Sequence, residues 1–297
     1  VYKYKIQIVH CRGHVSALSG LICKLIFKTK FIFDCRSFWV DERFDDGKWN
    51  KSKYVNKIAY FFFKYLEKKF FKNSDHSIIL TNKAKEYLIS NKSCDPNLIS
   101  VIPCCADYDK FNISDSDSID KIKNQYGINK NDIVFGYFGS LSPLYMTDKM
   151  INFFKTFKKS FKNSKFMVFT DNNDFFNSNI DLKKFLLEKS LIVKTLNKEE
   201  IPSHYNICNF TLSFISNSKA RIATSPTKIA ESLACGIPVI CNQNIGDLDS
   251  FISKYYDFGL INANNDNNFH TVISNIQYII SLSKDKIRNL SKLDLDL

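Results

Sequence analysis

An α/β chain of two Rossmann-like domains is what this sequence predicts, on three observations. Short apolar runs with strand character alternate with stretches of helical spacing along the chain. The alternation breaks in a polar stretch over 112–132, with Ser-Asp-Ser-Asp-Ser at 114–118, and restarts at Ile133-Val-Phe-Gly-Tyr-Phe-Gly139. A length of 297 residues, 44% of them hydrophobic, suffices for two separate cores. The expected domains are 1–128 and 129–297.

In order along the chain, 4–10 alternates and then turns apolar as a strand, 15–27 is helix-like, and Lys30-Phe-Ile-Phe-Asp34 is a second strand. Strand, helix, strand implies parallel pairing. The stretch 54–71 has apolar residues at 55, 58, 62, 65, 66 and 70, the spacing of a helix. A strand over 75–80, a helix over 82–90 and a strand over 98–102 follow, and 119–126 forms a short helix within the polar stretch. In the second domain a strand over 133–139 leads through a loop to a helix over 147–161. Strands at 165–170, 191–195, 210–215, 237–241 and 258–261 alternate with helices, the order of a doubly wound sheet. Ligands of such sheets bind beyond the carboxyl ends of the strands, so the loops after Gly139, Thr170, Thr195, Ile215 and Cys241 should share one rim.

The most informative stretch is Ser225-Pro-Thr-Lys-Ile-Ala-Glu-Ser-Leu-Ala-Cys-Gly-Ile-Pro-Val-Ile-Cys241. Ser225 reads as an N-cap and Pro226 as the first helical residue, which leaves free N–H groups and the positive helix end facing an anion such as phosphate. Thr227, Lys228 and Glu231 share one helix face and can reach one ligand. Gly236 closes the helix, and 237–241 reads as a buried parallel strand. On residues alone, an amphipathic helix with a solvated Lys and Glu is the alternative. Gly139-Ser140 after the domain's first strand allows close backbone approach to a sugar or phosphate, although a plain tight turn explains it equally well.

Pro-Thr-Lys, two residues, Glu, four residues and Gly-Ile-Pro-Val resembles the donor-site helix of retaining family 4 glycosyltransferases of GT-B architecture, in the bacterial cell-surface polysaccharide subset. The resemblance implies two Rossmann-like domains facing a cleft and transfer of a sugar from a nucleotide-diphosphate donor to a hydroxyl acceptor with retention, in cell-envelope polysaccharide or glycolipid synthesis. It implies that Glu231 holds the ribose hydroxyls, that the helix start faces phosphate or sugar, and that Lys228 and Arg221 stabilise leaving-group charge. A second Glu expected eight residues before Glu231 is Ala223 here. Lys219 and Arg221 stand beside it and offer cationic donor contacts, with a solvated basic loop as the alternative. The basic clamp expected after Gly139 is replaced by Ser142, Pro143, Leu144 and Tyr145. These departures motivate a rival reading, a noncatalytic nucleotide-sugar-binding subunit or an inactive fragment.

In the first half, Val9-His-Cys-Arg12 and Ile32-Phe-Asp-Cys-Arg-Ser-Phe-Trp-Val-Asp-Glu-Arg43 resemble acceptor-domain loops of the same family. His10, Arg12, Asp34, Arg36 and Trp39 are the candidates for a sugar cleft: Trp stacks on sugar faces, and Arg and Asp bind hydroxyls or phosphate. A solvated loop anchored by Trp39, and a satisfied core His10, are the alternatives. The Gly-containing strand-loop-helix that opens the family's first domain is not recognisable, so that domain is expected to be incomplete.

Composition narrows the partners. The net charge of +12 and pI near 9.1 admit a phosphate-bearing substrate, an anionic membrane or a nucleic acid, but no nucleic-acid motif accompanies them, so none is expected. Lysines at 51, 53, 57, 64, 68, 69 and 72 against the single Glu67 fit either an anionic membrane surface or a packed helix with a solvated basic face. A lipid-linked or other glycan acceptor suits the first. No apolar window is long enough to span a bilayer, and no signal peptide is recognisable. Nine cysteines without a Cys-x-x-Cys pair or matched His spacing predict no metal site and no disulfide framework, hence a cytoplasmic location, peripheral on the inner membrane face if 51–72 rests on lipid; no cofactor is expected beside the nucleotide-sugar substrate.

Overall fold

The structure is a computed structural model that describes residues 1–172, 176, 179–257, 259–261 and 268–296. It divides into two compact units: residues 1–103 with 217–225 and 244–248, and residues 104–216 with 226–243 and 249–297. Residues 104–128, grouped with the first domain on sequence, pack in the second unit.

The first unit is a four-stranded parallel sheet in the order β1 (Ile8–Arg12), β2 (Lys30–Cys35), β3 (His76–Ile79), β4 (Ile99–Val101). Crossovers run through α1 (His14–Phe27), α2 (Trp39–Asp45), α3 (Tyr54–Asn73) and α4 (Asn82–Ser90). Phe31, Phe33, Phe70, Phe71, Ile79 and Leu88 form its core, joined by Ala220 and Ala223 from 217–225. The first strand starts later than expected because residues 4–7 are exposed and no core selects either face of their alternation. The loop expected after Asp34 winds into α2, whose first turn carries Asp41 and Glu42 where the helix dipole favours acids. Thr81 caps α4 by accepting from Ala84 N–H at 3.2 Å, and the Asp247 carboxylate accepts from the N–H groups of Asn82 (2.6 Å) and Lys83 (3.0 Å).

Helix α3 forms where the spacing puts it, but of the stripe that predicts it only Leu66 and Phe70 pack into the core. Val55, Ile58, Phe62 and Tyr65 are 54–74% exposed, whereas Glu67, Phe70 and Phe71 are buried.

The second unit begins with α5 (Ser116–Gln125) and builds a six-stranded parallel sheet from β5 (Ile133–Phe138), β6 (Ser164–Phe169), β7 (Leu191–Lys194), β8 (Phe210–Ser213), β9 (Val239–Asn242) and β10 (Leu260–Ile261). Phe258, the start of the last predicted strand, lies outside the described residues. The order is β10-β9-β8-β5-β6-β7, so the winding reverses between β5 and β8. Helices α6 (Thr147–Ser160), α7 (Ile180–Leu187), α8 (Ile201–Asn206), α9 (Thr227–Ala234), α10 (Leu248–Tyr255), α11 (Asn268–Ser274), α12 (Ile276–Ser281) and α13 (Lys284–Leu295) complete the order. Phe135 lies in register with Phe166 on β6 and Phe210 on β8, and its ring stacks on both at 4.9 Å. Phe153, Phe154 and Phe157 of α6 close over it, each fully buried and worth about 1.5–3 kcal/mol of transfer free energy.

Helix α9 ends in a Schellman turn. Gly236 at φ +69° donates to Leu233 O at 2.9 Å, and Ile237 N–H returns to Ser232 O at 3.0 Å. At its other end, Pro226 rather than Ser225 occupies the cap position, extended at φ −78°, ψ 116°, with no side-chain cap bond. The helix thus starts one residue later than the sequence suggests, and proline, with no oxygen acceptor on its side chain, offers no cap bond of its own.

Candidate functional site

The carboxyl ends of β5, β6 and β7 and the start of α9 enclose a cavity of about 310 Å³ in the second unit. Gly139 and Ser140 come from the loop after β5, Thr170 and Asp171 from that after β6, and Thr227, Lys228 and Glu231 from α9. Phe138 and Phe169 line its floor as a stacked pair 4.7 Å apart. The location is the rim beside the switch of strand order, where a doubly wound sheet binds ligands.

Lys228 dominates the electrostatics. Its Nζ sits 4.0 Å from the Tyr145 ring centroid and 4.6 Å from that of Tyr137, and donates to Tyr137 Oη at 3.3 Å. Among the described residues no carboxylate lies within ion-pair distance of it. Burial holds its pKa down to about 8, against the pull of Glu231. Gly139 makes the close approach possible: at φ +143° it occupies backbone space unfavourable to L side chains, and a Cβ there would lie 2.5 Å from Lys228 Nζ.

Glu231 sits one turn further along α9. Tyr205 Oη donates to its Oε2 at 3.1 Å and to Lys228 O at 3.3 Å, and Tyr205 is itself stacked on Phe138 at 3.8 Å. Burial raises the Glu231 pKa, opposed by the Tyr205 hydrogen bond and the Lys228 charge. Burial also raises Tyr205 well above the ordinary phenol value, so it stays a donor. The first-turn N–H groups of Thr227 and Lys228 have no intrahelical acceptor, as at any helix start. One cation, the first turn of a helix and one oriented carboxylate therefore line the cavity: the first two suit an anionic group, the last a pair of hydroxyls.

Gly139, Ser140, Thr227, Lys228 and Glu231 thus meet as the sequence proposes, with Pro226 just ahead of them. Ser225, Lys219 and Arg221 belong to the first unit. Lys219 is exposed, but Arg221 is 2% exposed, bonded to Glu42 Oε1 at 3.1 Å and to Asp46. The guanidinium for which a leaving-group role is expected neutralises two carboxylates here, Glu42 of α2 and Asp46 just after it. Ala223 is buried in the same core.

In the first unit His10, mid-strand in β1 rather than at its end, has Nε2 3.4 Å from Asp34 Oδ2 near the end of β2; His10 is exposed, and Asp34 is buried with its Oδ1 unbonded among the described residues. Arg12 is exposed at the end of β1 and Arg36 half-buried after β2. Trp39 takes the anchoring role: its ring stacks on His14 at 5.6 Å, meets Trp49 and Phe63 edge-on, and lies under the Arg43 guanidinium. Sequence reasoning missed Tyr137 and Tyr205. Tyr137 sits inside an apolar strand, and Tyr205 lies 26 positions before Glu231, so no local pattern flags either.

Residues 118–288 match the family model described as Glycosyl transferases group 1, and residues 1–110 match that described as Glycosyltransferase Family 4. The fold is similar to that of Anabaena Alr3699/HepE, solved in complex with UDP and glucose, at 15% identity and TM-score 0.71 over 99% of this chain and 75% of that one. Sucrose-phosphate synthase of Thermosynechococcus elongatus matches at 13% identity and TM-score 0.70, over 99% and 71% of the two chains. A glycosyltransferase from Rickettsia africae ESF-5 matches at 15% and 0.69, over 100% and 74%. No curated protein matches in sequence.

Proposed function

We propose, for a chain that belongs to the glycosyl transferases of group 1, that its second unit binds a nucleotide-diphosphate sugar in the α9 cavity and transfers the sugar to a hydroxyl acceptor with retention. The observation that carries the reading is Lys228, an ammonium with no carboxylate within ion-pair distance among the described residues, poised at the start of α9 beside the cavity. The diphosphate bridges Lys228 and the α9 N–H groups, and the Glu231 carboxylate, oriented by Tyr205, accepts both ribose hydroxyls. As the C1–O bond to diphosphate breaks, Lys228 meets the charge arriving on the leaving oxygen. The acceptor oxygen bonds C1 from the same face, and its proton passes to the departing phosphate.

We assign the transferred group to the hexoses and the acceptor to a glycan or lipid-linked glycan of the cell envelope, with the protein peripheral on the inner membrane face. UDP conjugates are the first donors to try, because Anabaena HepE, similar in fold, was crystallised with UDP-glucose. Calorimetric titration of UDP, GDP and ADP and their sugar conjugates into the wild type and Glu231→Ala tests the site. Base-selective binding weakened about tenfold or more in Glu231→Ala supports it; absence of nucleotide binding by folded protein overturns it. A second reading, binding without turnover, is favoured by Ala223 standing in the first unit's core where a sugar-holding carboxylate is expected. Tight donor binding with no sugar released to water or acceptor would select it.

A further inference from the structure

Helix α3 is 20 residues, about 30 Å, and its two long faces differ in kind. Inward, Leu66, Phe70 and Phe71 join the core of the first unit. Outward, Val55, Ile58, Phe61, Phe62 and Tyr65 are 54–74% exposed. Between and beyond them stand Lys57, Lys68, Lys69 and Lys72, all exposed and without an ion pair among the described residues. The helix's one acid, Glu67, is turned inward to His14 and Lys64. The outward face therefore combines contiguous aromatic and aliphatic surface with positive charge and carries no acid.

We propose that this face docks the protein on an anionic lipid bilayer, Phe61, Phe62 and Ile58 entering the headgroup–acyl boundary while the lysines meet lipid phosphates. An exposed apolar row of this extent marks an interaction surface, and its composition is that of an interfacial amphipathic helix. The long lysine stems lie along the apolar surface with their ammonium groups lifted to the headgroups. Helix α1 provides the contrast. It also exposes Val15, Leu18, Ile22, Leu25 and Ile26, but its one cation, Lys24, is paired with Asp75 at 2.8 Å, so no charge there selects a lipid. The inference specifies the membrane side of the reading above while resting on α3 alone.

The test is co-sedimentation of the full chain with vesicles of phosphatidylcholine containing phosphatidylglycerol, and with phosphatidylcholine vesicles alone. Two variants are used, Lys57→Glu/Lys68→Glu/Lys69→Glu and Phe61→Ser/Phe62→Ser, each checked for folding by circular dichroism and for unchanged nucleotide binding. Wild type should partition onto the anionic vesicles only. At roughly fivefold per lysine removed, with repulsion from each new glutamate added, the charge variant should lose at least on the order of 100-fold in partitioning, and the aromatic variant should lose the binding that survives high salt. Equal sedimentation with both vesicle types, or folded variants that bind as wild type does, would overturn the proposal. So would a self-association or an oligonucleotide affinity that the same substitutions abolish while vesicle binding persists.

Discussion

If Lys228 titrates at about 8, its ammonium is about nine-tenths charged at pH 7 and about one-tenth charged at pH 9. A diphosphate that needs that charge should bind about tenfold more weakly at pH 9, a difference of about 1.4 kcal/mol. Binding there should also draw about one proton from solution, because the ligand's negative charge restores the ammonium. Calorimetry of a sugar nucleotide at the two pH values, in buffers of different ionisation enthalpy, reads both quantities. Lys228→Met supplies the background from titration of the base and should show neither effect. The apo protein gives an opposite signature. Its lysine pKa is depressed below the ordinary value near 10.5, so the fold bears its full penalty below pH 8 and sheds it as pH rises from 8 to 10.5. Lys228→Met should therefore raise stability at pH 7, by up to about 3 kcal/mol, while weakening nucleotide binding. Affinity that is flat with pH in the wild type, or that falls equally in Lys228→Met, would refute the reasoning.

Two further substitutions probe the framework around the site. Gly236→Ala would set a Cβ 2.6 Å from the backbone oxygen of Lys284 at a φ of +69°, so denaturant unfolding should show a loss of about 2 kcal/mol. Arg221→Met strips two carboxylates of a buried counter-ion and should cost about 3 kcal/mol in the same assay, whereas Lys219→Met, two residues earlier and exposed, should change stability by less than about 0.5 kcal/mol. Nucleotide affinity unchanged in folded Arg221→Met would agree with its place among Glu42 and Asp46; a selective loss of affinity would return it to the donor site.

The αβ unit around Glu231 was legible because its signals are local: proline before the helix, glycine after it, and an apolar run beyond. The strand-and-helix alternation was legible for the same reason. Which side of a helix is covered is a different matter. Spacing at 55, 58, 62 and 65 reports that a helix exists, but the choice between its faces is made by Phe31, Phe33 and Ile79 on strands elsewhere in the chain. Around Arg221 the local sequence shows only a basic loop, which suggests a ligand contact, while its carboxylate partners lie 175 and 179 positions upstream. Tyr205 illustrates the converse, an apolar-looking ring whose hydroxyl finds its role only when α8 and α9 are brought together.

Residues 217–225 and 244–248 finish the first unit long after its strands have been laid down. On the ribosome, α4 would emerge with its first N–H groups waiting for an acceptor, Asp247, encoded 164 and 165 codons later. Ala220 and Ala223 reach their places in the core equally late. The amino-terminal half therefore cannot reach its final packing before most of the second unit has been synthesised. Any attempt to express it by cutting near residue 128 should yield a protein that binds chaperones and exchanges its amide hydrogens at α4 far faster than the intact chain does.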